Sequence, residues 1–215
     1  MKKIKTIGLI LGFISFVTAV NAQSSITIEA SPLYTSFKFD DSRGTALNNE
    51  YSGILTGGYG LGYRFDANNG LMIRAGLGMR HAGATLIYDD MNYRWDMQYA
   101  DVKLGGGYML KTGSINPYLN VSGYYSYMIS GFQTINNEEF DIKNSKSLNE
   151  MDYGVYFTPG VQFIFSSAVS SFVEFNYMMG LQNLEMDEGQ KSTNVAYGLT
   201  LGLSFSFGKL SNKKN

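Results

Sequence analysis

Seven ionisable residues sit in stretches that alternate with glycine, serine or threonine: Glu29, Arg64, Arg74, Arg80, Asp101, Lys103 and Glu174. On an extended chain that spacing puts each charge on the same face as its small neighbours, where opposite signs can neutralise one another in a buried network. An unpaired charge in such a place is costly, whereas a paired one roughly breaks even and fixes register. Covalent and metal chemistry have much less to draw on. The chain has no cysteine and a single histidine, His81, which excludes thiol catalysis, disulfide scaffolds and multi-histidine metal sites. A lipid acyl-transfer or deacylation centre would need His81 beside a hydroxyl, with Ser36, Ser126 and Ser130 as candidates. Parity puts His81 on the outward side of its strand, so the expectation is no catalytic residue, no metal and no cofactor.

The elements that position these groups follow from composition and periodicity. Of 215 residues, 44% are hydrophobic and 16% charged, and 25 glycines and 16 tyrosines exceed the share of an average soluble domain. Residues 1–22 carry Lys2, Lys3 and Lys5, an apolar run from Ile7 to Val20, and the terminal Val20-Asn21-Ala22. This is the three-part pattern of a cleaved secretory signal peptide, too short in its apolar part for a spanning anchor. The remaining chain, 23–215, holds 14 basic and 18 acidic side chains, a balance that argues against nucleic acid as a partner.

Beyond residue 22 period two dominates. Val195, Tyr197, Leu199, Leu201, Leu203, Phe205 and Phe207 share one face, while Ala196, Gly198, Thr200, Gly202, Ser204 and Ser206 share the other. Eight segments follow this grammar: 26–39, 51–65, 71–88, 93–110, 115–129, 151–165, 171–182 and 194–208. No stretch reaches 18 consecutive apolar residues, which excludes spanning by helices. Long strands with one full apolar face can enter lipid only by closing on themselves, because every backbone N–H and C=O must be paired within the protein. The predicted fold is all-β: one closed antiparallel eight-stranded transmembrane up-and-down β-barrel. Short links at 66–70, at Gly113-Ser114 as a two-residue turn, and at 166–170 mark one rim. Longer polar links at 40–50, 130–150 and 183–193 mark the other, with a tight turn at 89–92. That asymmetry predicts a multi-pass protein of a Gram-negative outer membrane with both termini periplasmic.

An eight-stranded barrel is filled by its own side chains. The inward face is predicted to carry the seven charges above with Asn120, Gln162 and Asn176, forming a plug of two ion-pair layers. Glu29, Arg64, Arg74 and Glu174 lie towards the short-turn rim, and Arg80 faces Asp101 higher up; that register sets Tyr88 against Tyr93 and Leu86 against Trp95. Outward aromatics form two girdles, Tyr63, Phe65, Tyr108, Phe163, Phe165, Phe205 and Phe207 at one interface and Tyr51, Tyr125, Tyr127, Tyr153 and Tyr197 at the other.

Three stretches carry a family resemblance: Tyr99-Ala100-Asp101-Val102-Lys103-Leu104, Pro117-Tyr118-Leu119 and Tyr177-Met178-Met179-Gly180-Leu181. On them the chain resembles the PorT-like family of small outer-membrane β-barrel proteins of Bacteroidetes-type bacteria. The resemblance implies, as an alternative role, an accessory subunit of a secretion or envelope-assembly complex. The segment from Thr200 to Phe207 is similar to the C-terminal signal read by the barrel-assembly machinery, with Thr200, Gly202, Phe205 and Phe207 at its marked positions, followed by a tail from Gly208 to Asn215.

The expected function is that of an integral outer-membrane barrel with a plugged lumen and a structural or surface-interaction role through its long loops. Glu138, Glu139 and Phe140 are the first contact candidates. Expected partners are outer-membrane lipids, lipopolysaccharide and, during insertion, the barrel-assembly machinery. A narrow small-solute channel is the remaining alternative, and an enzyme is not expected.

Overall fold

The computed structural model describes residues 22–40, 43, 45–46, 50–145, 148–186 and 189–207. Among them run nine strands: β1 (Ala22–Asp40), β2 (Tyr51–Ala67), β3 (Leu71–Tyr88), β4 (Met91–Met109), β5 (Ile115–Ile135), β6 (Glu138–Asp141), β7 (Met151–Ile164), β8 (Val169–Gly180) and β9 (Lys191–Phe207). The segment expected as a signal peptide lies outside the described residues except for Ala22, as does the tail from Gly208 to Asn215. All pairings are antiparallel. β1 pairs with both β2 and β9, and β4 with β5, so eight strands close into a ring while β6 stands outside it on the end of β5. Closure leaves the ring without an unpaired edge.

The alternation drives this shape. Leu55, Leu61, Leu77, Leu104, Leu199 and Leu201 point outward and are exposed, whereas Thr27, Ser126, Thr200 and Ser204 on the opposite faces are buried. The wall is apolar outside and hydroxyl-rich inside, the reverse of a water-soluble sheet.

Four local expectations change. Asp89 and Asp90 both adopt positive φ, 50° and 58°, a two-residue turn whose twist suits a hairpin. It sets Tyr88 against Met91, Leu86 against Tyr93 and Arg80 against Tyr99. The ladder is therefore two residues off the one that faces Arg80 with Asp101, and Asp101 lies opposite Gly78 instead. Gly113-Ser114 is not a two-residue turn. The link covers 110–114, because the Asn116 Oδ1 accepts from Thr112 N at 2.9 Å and Gly113 N at 3.2 Å and holds a wider loop. The segment 130–150 is not all loop: β5 continues to Ile135, turns at Asn136 and Asn137 with φ of 46° and 73°, and returns as β6. Asn92 N donates to Asn136 Oδ1 at 2.9 Å and Asn136 N to Asn92 O at 3.1 Å, tying the two hairpin tips together.

The fourth change concerns Tyr51. A bulge between Gly53 and Gly58 shifts the β2–β3 register by one residue, and a second beside Gln98 and Tyr99 does so between β4 and β5. One extra residue exchanges the two faces of a strand. Tyr51 therefore leaves the outward girdle and packs against Phe37 and Trp95, with ring centroids 6.0 and 5.7 Å away. Around it, Phe37, Ala82, Ala84, Met97, Tyr99, Met128, Ile142 and Leu184 make an apolar core at the long-loop end of the barrel. Ile142 and Leu184 come from loops. Asn149 N donates to Leu184 O at 2.7 Å and Leu148 bridges to Glu185, so these two loops form one cover. At the short-turn end a smaller group, Met72, Met109 and Tyr118, fills the lumen.

Candidate functional site

Between those two apolar ends the lumen is charged. Nearest the short turns, Arg64 Nε donates to Asp66 Oδ2 at 3.0 Å, both side chains almost fully buried. Burial lowers the Lys111 ammonium of the adjacent link below the usual lysine range, with Asp66 opposing the shift.

The next layer joins five strands. Arg74 Nη2 of β3 donates to Glu29 Oε2 of β1 at 3.1 Å, and its Nη1 donates to Glu174 of β8. Lys103 Nζ of β4 reaches the other Glu29 oxygen at 3.4 Å, and the Tyr118 hydroxyl of β5 donates to Glu174. The layer holds two cations and two carboxylates, and its forked guanidinium spans two acids that flank β9, on β1 and β8.

The third layer centres on Arg80. Its Nε lies 3.2 Å from Asp101, and its Nη2 donates to Asp152 Oδ2 at 2.6 Å and to Ser126 Oγ at 3.3 Å. Ser126 in turn donates to Asp101 at 2.6 Å. Asp152, wholly buried, also accepts from the Tyr124 hydroxyl at 3.1 Å and from Asn194 Nδ2 at 2.9 Å. The guanidinium stacks over Tyr99 and Tyr124, 4.5 and 5.2 Å from their centroids. Between the two layers Lys103 lies over Tyr156, which meets Tyr124 edge-on at 5.3 Å.

Neutral side chains line the opposite wall. Thr158 Oγ1 donates to Asn176 Oδ1 at 2.9 Å, Asn176 Nδ2 donates to Thr200, and Gln162 Nε2 donates to Ser170 Oγ at 2.8 Å. A polar cavity of about 40 Å³ opens beside Asn120 and Glu174, and one of about 10 Å³ beside Arg80. Both are on the scale of ordered water rather than of a solute.

The predicted inward residues thus fall into three groups. Glu29, Arg74, Lys103 and Glu174 meet in one layer and Arg80 and Asp101 in another, the latter diagonally across the ladder. Arg64 does not join Glu29; it is held by Asp66, two positions along its own strand face. Sequence reasoning missed Asp152, Tyr118, Tyr124 and Asn194. Asp152 shares the parity of Tyr156, Thr158 and Gln162, so strand alternation was the signal that could have found it.

The remaining candidates stay apart. His81 Nδ1 is 3.4 Å from Asp96 on the outer surface, with its side chain 46% exposed. Ser126 points the other way, into the lumen, and serves Asp101. Thr200 is buried and Gly202 packs under Phe172, whereas Phe205 and Phe207 are exposed on the outer wall. Glu138, Glu139 and Phe140 are exposed on β6.

Comparison with known proteins accords with this geometry. The family described as outer membrane protein β-barrel domain matches residues 21–185. The chain belongs to this family. Among solved structures, this outer-membrane barrel is similar to OprG of Pseudomonas aeruginosa, with 9% identity over 87% of this chain and 98% of that one and a TM-score of 0.52. It is also similar to Neisserial surface protein A, with 10% identity over 87% and 99% of the two chains and a TM-score of 0.50. A major outer membrane protein of Thermus thermophilus shares 13% identity over 86% and 99%, again with a TM-score of 0.50. At these identities the likeness is one of fold. No curated protein matches the chain. The protein is an outer-membrane β-barrel protein, and its exposed leucines face lipid.

Proposed function

We propose that this barrel is a surface-interaction protein: the charged lumen is a static plug, the long-loop end faces the exterior, and the termini face the periplasm. The observation that carries this reading is the extension of β3, β4, β5 and β6 past the tyrosine girdle. These strands form a sheet with tied tips that exposes Ile87, Tyr88 and Phe140 beside Glu138 and Glu139. Exposed apolar side chains rimmed by charge suit protein or glycolipid contact. The plug serves this role by holding the projecting strands in one register, since Arg74 and Arg80 each hold β3 against two other strands. Residues 1–22 supply the export signal in this reading, and the motif from Tyr177 to Leu181 favours placement among PorT-like barrels.

The absence of cysteine makes the test direct. Asn137→Cys on intact cells should react with a membrane-impermeant maleimide, and Asn69→Cys should react only after the outer membrane is permeabilised. The opposite pattern overturns the orientation. Planar-bilayer reconstitution should show no conductance, and a steady conductance overturns the plug.

A further inference from the structure

We propose that the outward pocket where β1, β8 and β9 meet at the long-loop rim binds the phosphate of an outer-leaflet lipid. The inference rests on the orientation proposed above, and it adds a ligand and a site.

The level of the pocket follows from the ladder. Tyr34, Tyr197 and Tyr177 lie side by side on three neighbouring strands, facing outward, with Tyr34 and Tyr197 rings 5.2 Å apart. Such a tyrosine row marks the boundary between acyl chains and headgroups. Lys38 lies four residues further along β1, ~13 Å along the strand and ~10 Å in height at a ~40° tilt, which is headgroup level. Lys38 pairs in the ladder with Thr193, and Asp40 with Lys191.

Here the wall opens into a pocket of about 260 Å³ lined by Lys38, Asp40, Met179, Leu181, Lys191 and Thr193. Its chemistry is two-sided. Met179 and Leu181 continue the lipid-facing surface upward, and Lys38 and Lys191 stand above them as two ammonium groups. Thr193 adds a hydroxyl, and Asp40 an acceptor for a sugar hydroxyl or an ammonium next to the phosphate. Neither lysine has an ion-pair partner among the described residues. Two other described cations of this rim differ: Lys143 donates to Ile129 O at 3.1 Å and covers Tyr127, and Arg94 approaches Asp96 at 3.9 Å.

Two ammonium groups without an ion-pair partner among the described residues, lining one pocket with an apolar floor, match a phosphate carried on an acyl chain. They do so on a rim otherwise rich in acid, where Asp89, Asp90, Glu138, Glu139 and Asp141 repel anions. The site thus gives the barrel one lipid-adhesive side, opposite the projecting sheet.

The test uses the full chain in phosphatidylcholine nanodiscs doped with lipid A, either phosphorylated or enzymatically dephosphorylated, with retained lipid counted by native mass spectrometry. The wild type should retain the phosphorylated form. Lys38→Gln with Lys191→Gln should lower retention about tenfold, as the loss of two partly exposed ion pairs would, while Lys143→Gln leaves it unchanged. Equal retention by the double variant, equal retention of the dephosphorylated lipid, displacement by inorganic phosphate alone, or no retention overturns the site. Maleimide labelling of Asn137→Cys reads orientation separately, so a reversed labelling pattern removes the reading beneath it, and a negative lipid result removes only the site.

Discussion

The part of the barrel below the two bulges and the part above them are built from the same strands with opposite polarity. Below, Thr27, Arg74, Asp101 and Glu174 face inward and Leu61, Leu77, Val102 and Leu201 face outward. Above, Phe37, Ala84, Met97 and Met128 face inward, and His81, Arg94 and Asp96 face outward. The inversion takes place along single strands. β4 reads Asp101, Tyr99, Met97 and Trp95 on its inner face while the outer face goes from Val102 and Ala100 to Gln98, Asp96 and Arg94. The solvent outside decides which face is apolar. In lipid the wall gains nothing by hiding leucines, so the interior can be polar provided its charges are paired; in water the hydrophobic effect returns the apolar face to the inside. The bulges help on β2 and β5, where an extra residue exchanges the faces without a change of pattern.

This contrast can be broken in order of effect. Arg80→Met leaves Asp101 and Asp152 buried without their shared cation, and a cost of about 3–5 kcal/mol is expected in urea unfolding in micelles. Adding Asp101→Asn and Asp152→Asn should restore most of that loss, because neutral hydrogen-bonded groups replace the stranded charges; a triple variant as unstable as the single one contradicts the pairing. Leu201→Arg at mid-wall should cost about 2–4 kcal/mol, whereas Thr85→Arg above the girdle should stay within about 0.5 kcal/mol. Similar losses at both positions would erase the distinction between the two regions. Leu184→Ala removes a fully buried residue from the core at the long-loop end and should cost about 3 kcal/mol. That loss should appear as faster proteolysis of the loop cover, with the heat-modifiable gel shift of the barrel intact. His81→Ala sharpens the lower limit. Its pair with Asp96 is about half exposed, so less than about 1 kcal/mol is expected.

Much of the lower region was legible in the sequence. The faces of β2 and β9 can be assigned from the alternation of Leu61, Tyr63 and Phe65 with Gly60, Gly62 and Arg64, or of Leu199 to Phe207 with Thr200 to Ser206. The inward place of Glu29, Arg74, Lys103 and Glu174 follows from the same period. The upper region was less legible because period two carries no information about an inserted residue. Tyr51 has the right parity for a girdle, and only the Gly53–Gly58 bulge turns it inward. The 89–92 turn was visible as a turn, but its two-residue length, which depends on both aspartates adopting positive φ, moved the β3–β4 ladder by two. Asp152 was missed at the start of a strand, where a charged residue beside a polar loop reads as part of the loop.

What the sequence by itself determined is the kind of wall: long two-faced strands without helical spans, an even number of them in the ring, and an interior that contains both signs of charge. These follow from local alternation and from the requirement that backbone polar groups in lipid be paired. Only the tertiary structure decided which charges meet. Arg80 is shared by β4 through Asp101 and by β7 through Asp152, and Arg74 joins β1 to β8 across the lumen. Asp101 meets Arg80 across one hairpin, but Glu174 and Asp152 lie 100 and 72 residues from their arginines and reach them only as the sheet curls into the ring, where turn lengths and bulges set each strand's height relative to its neighbours.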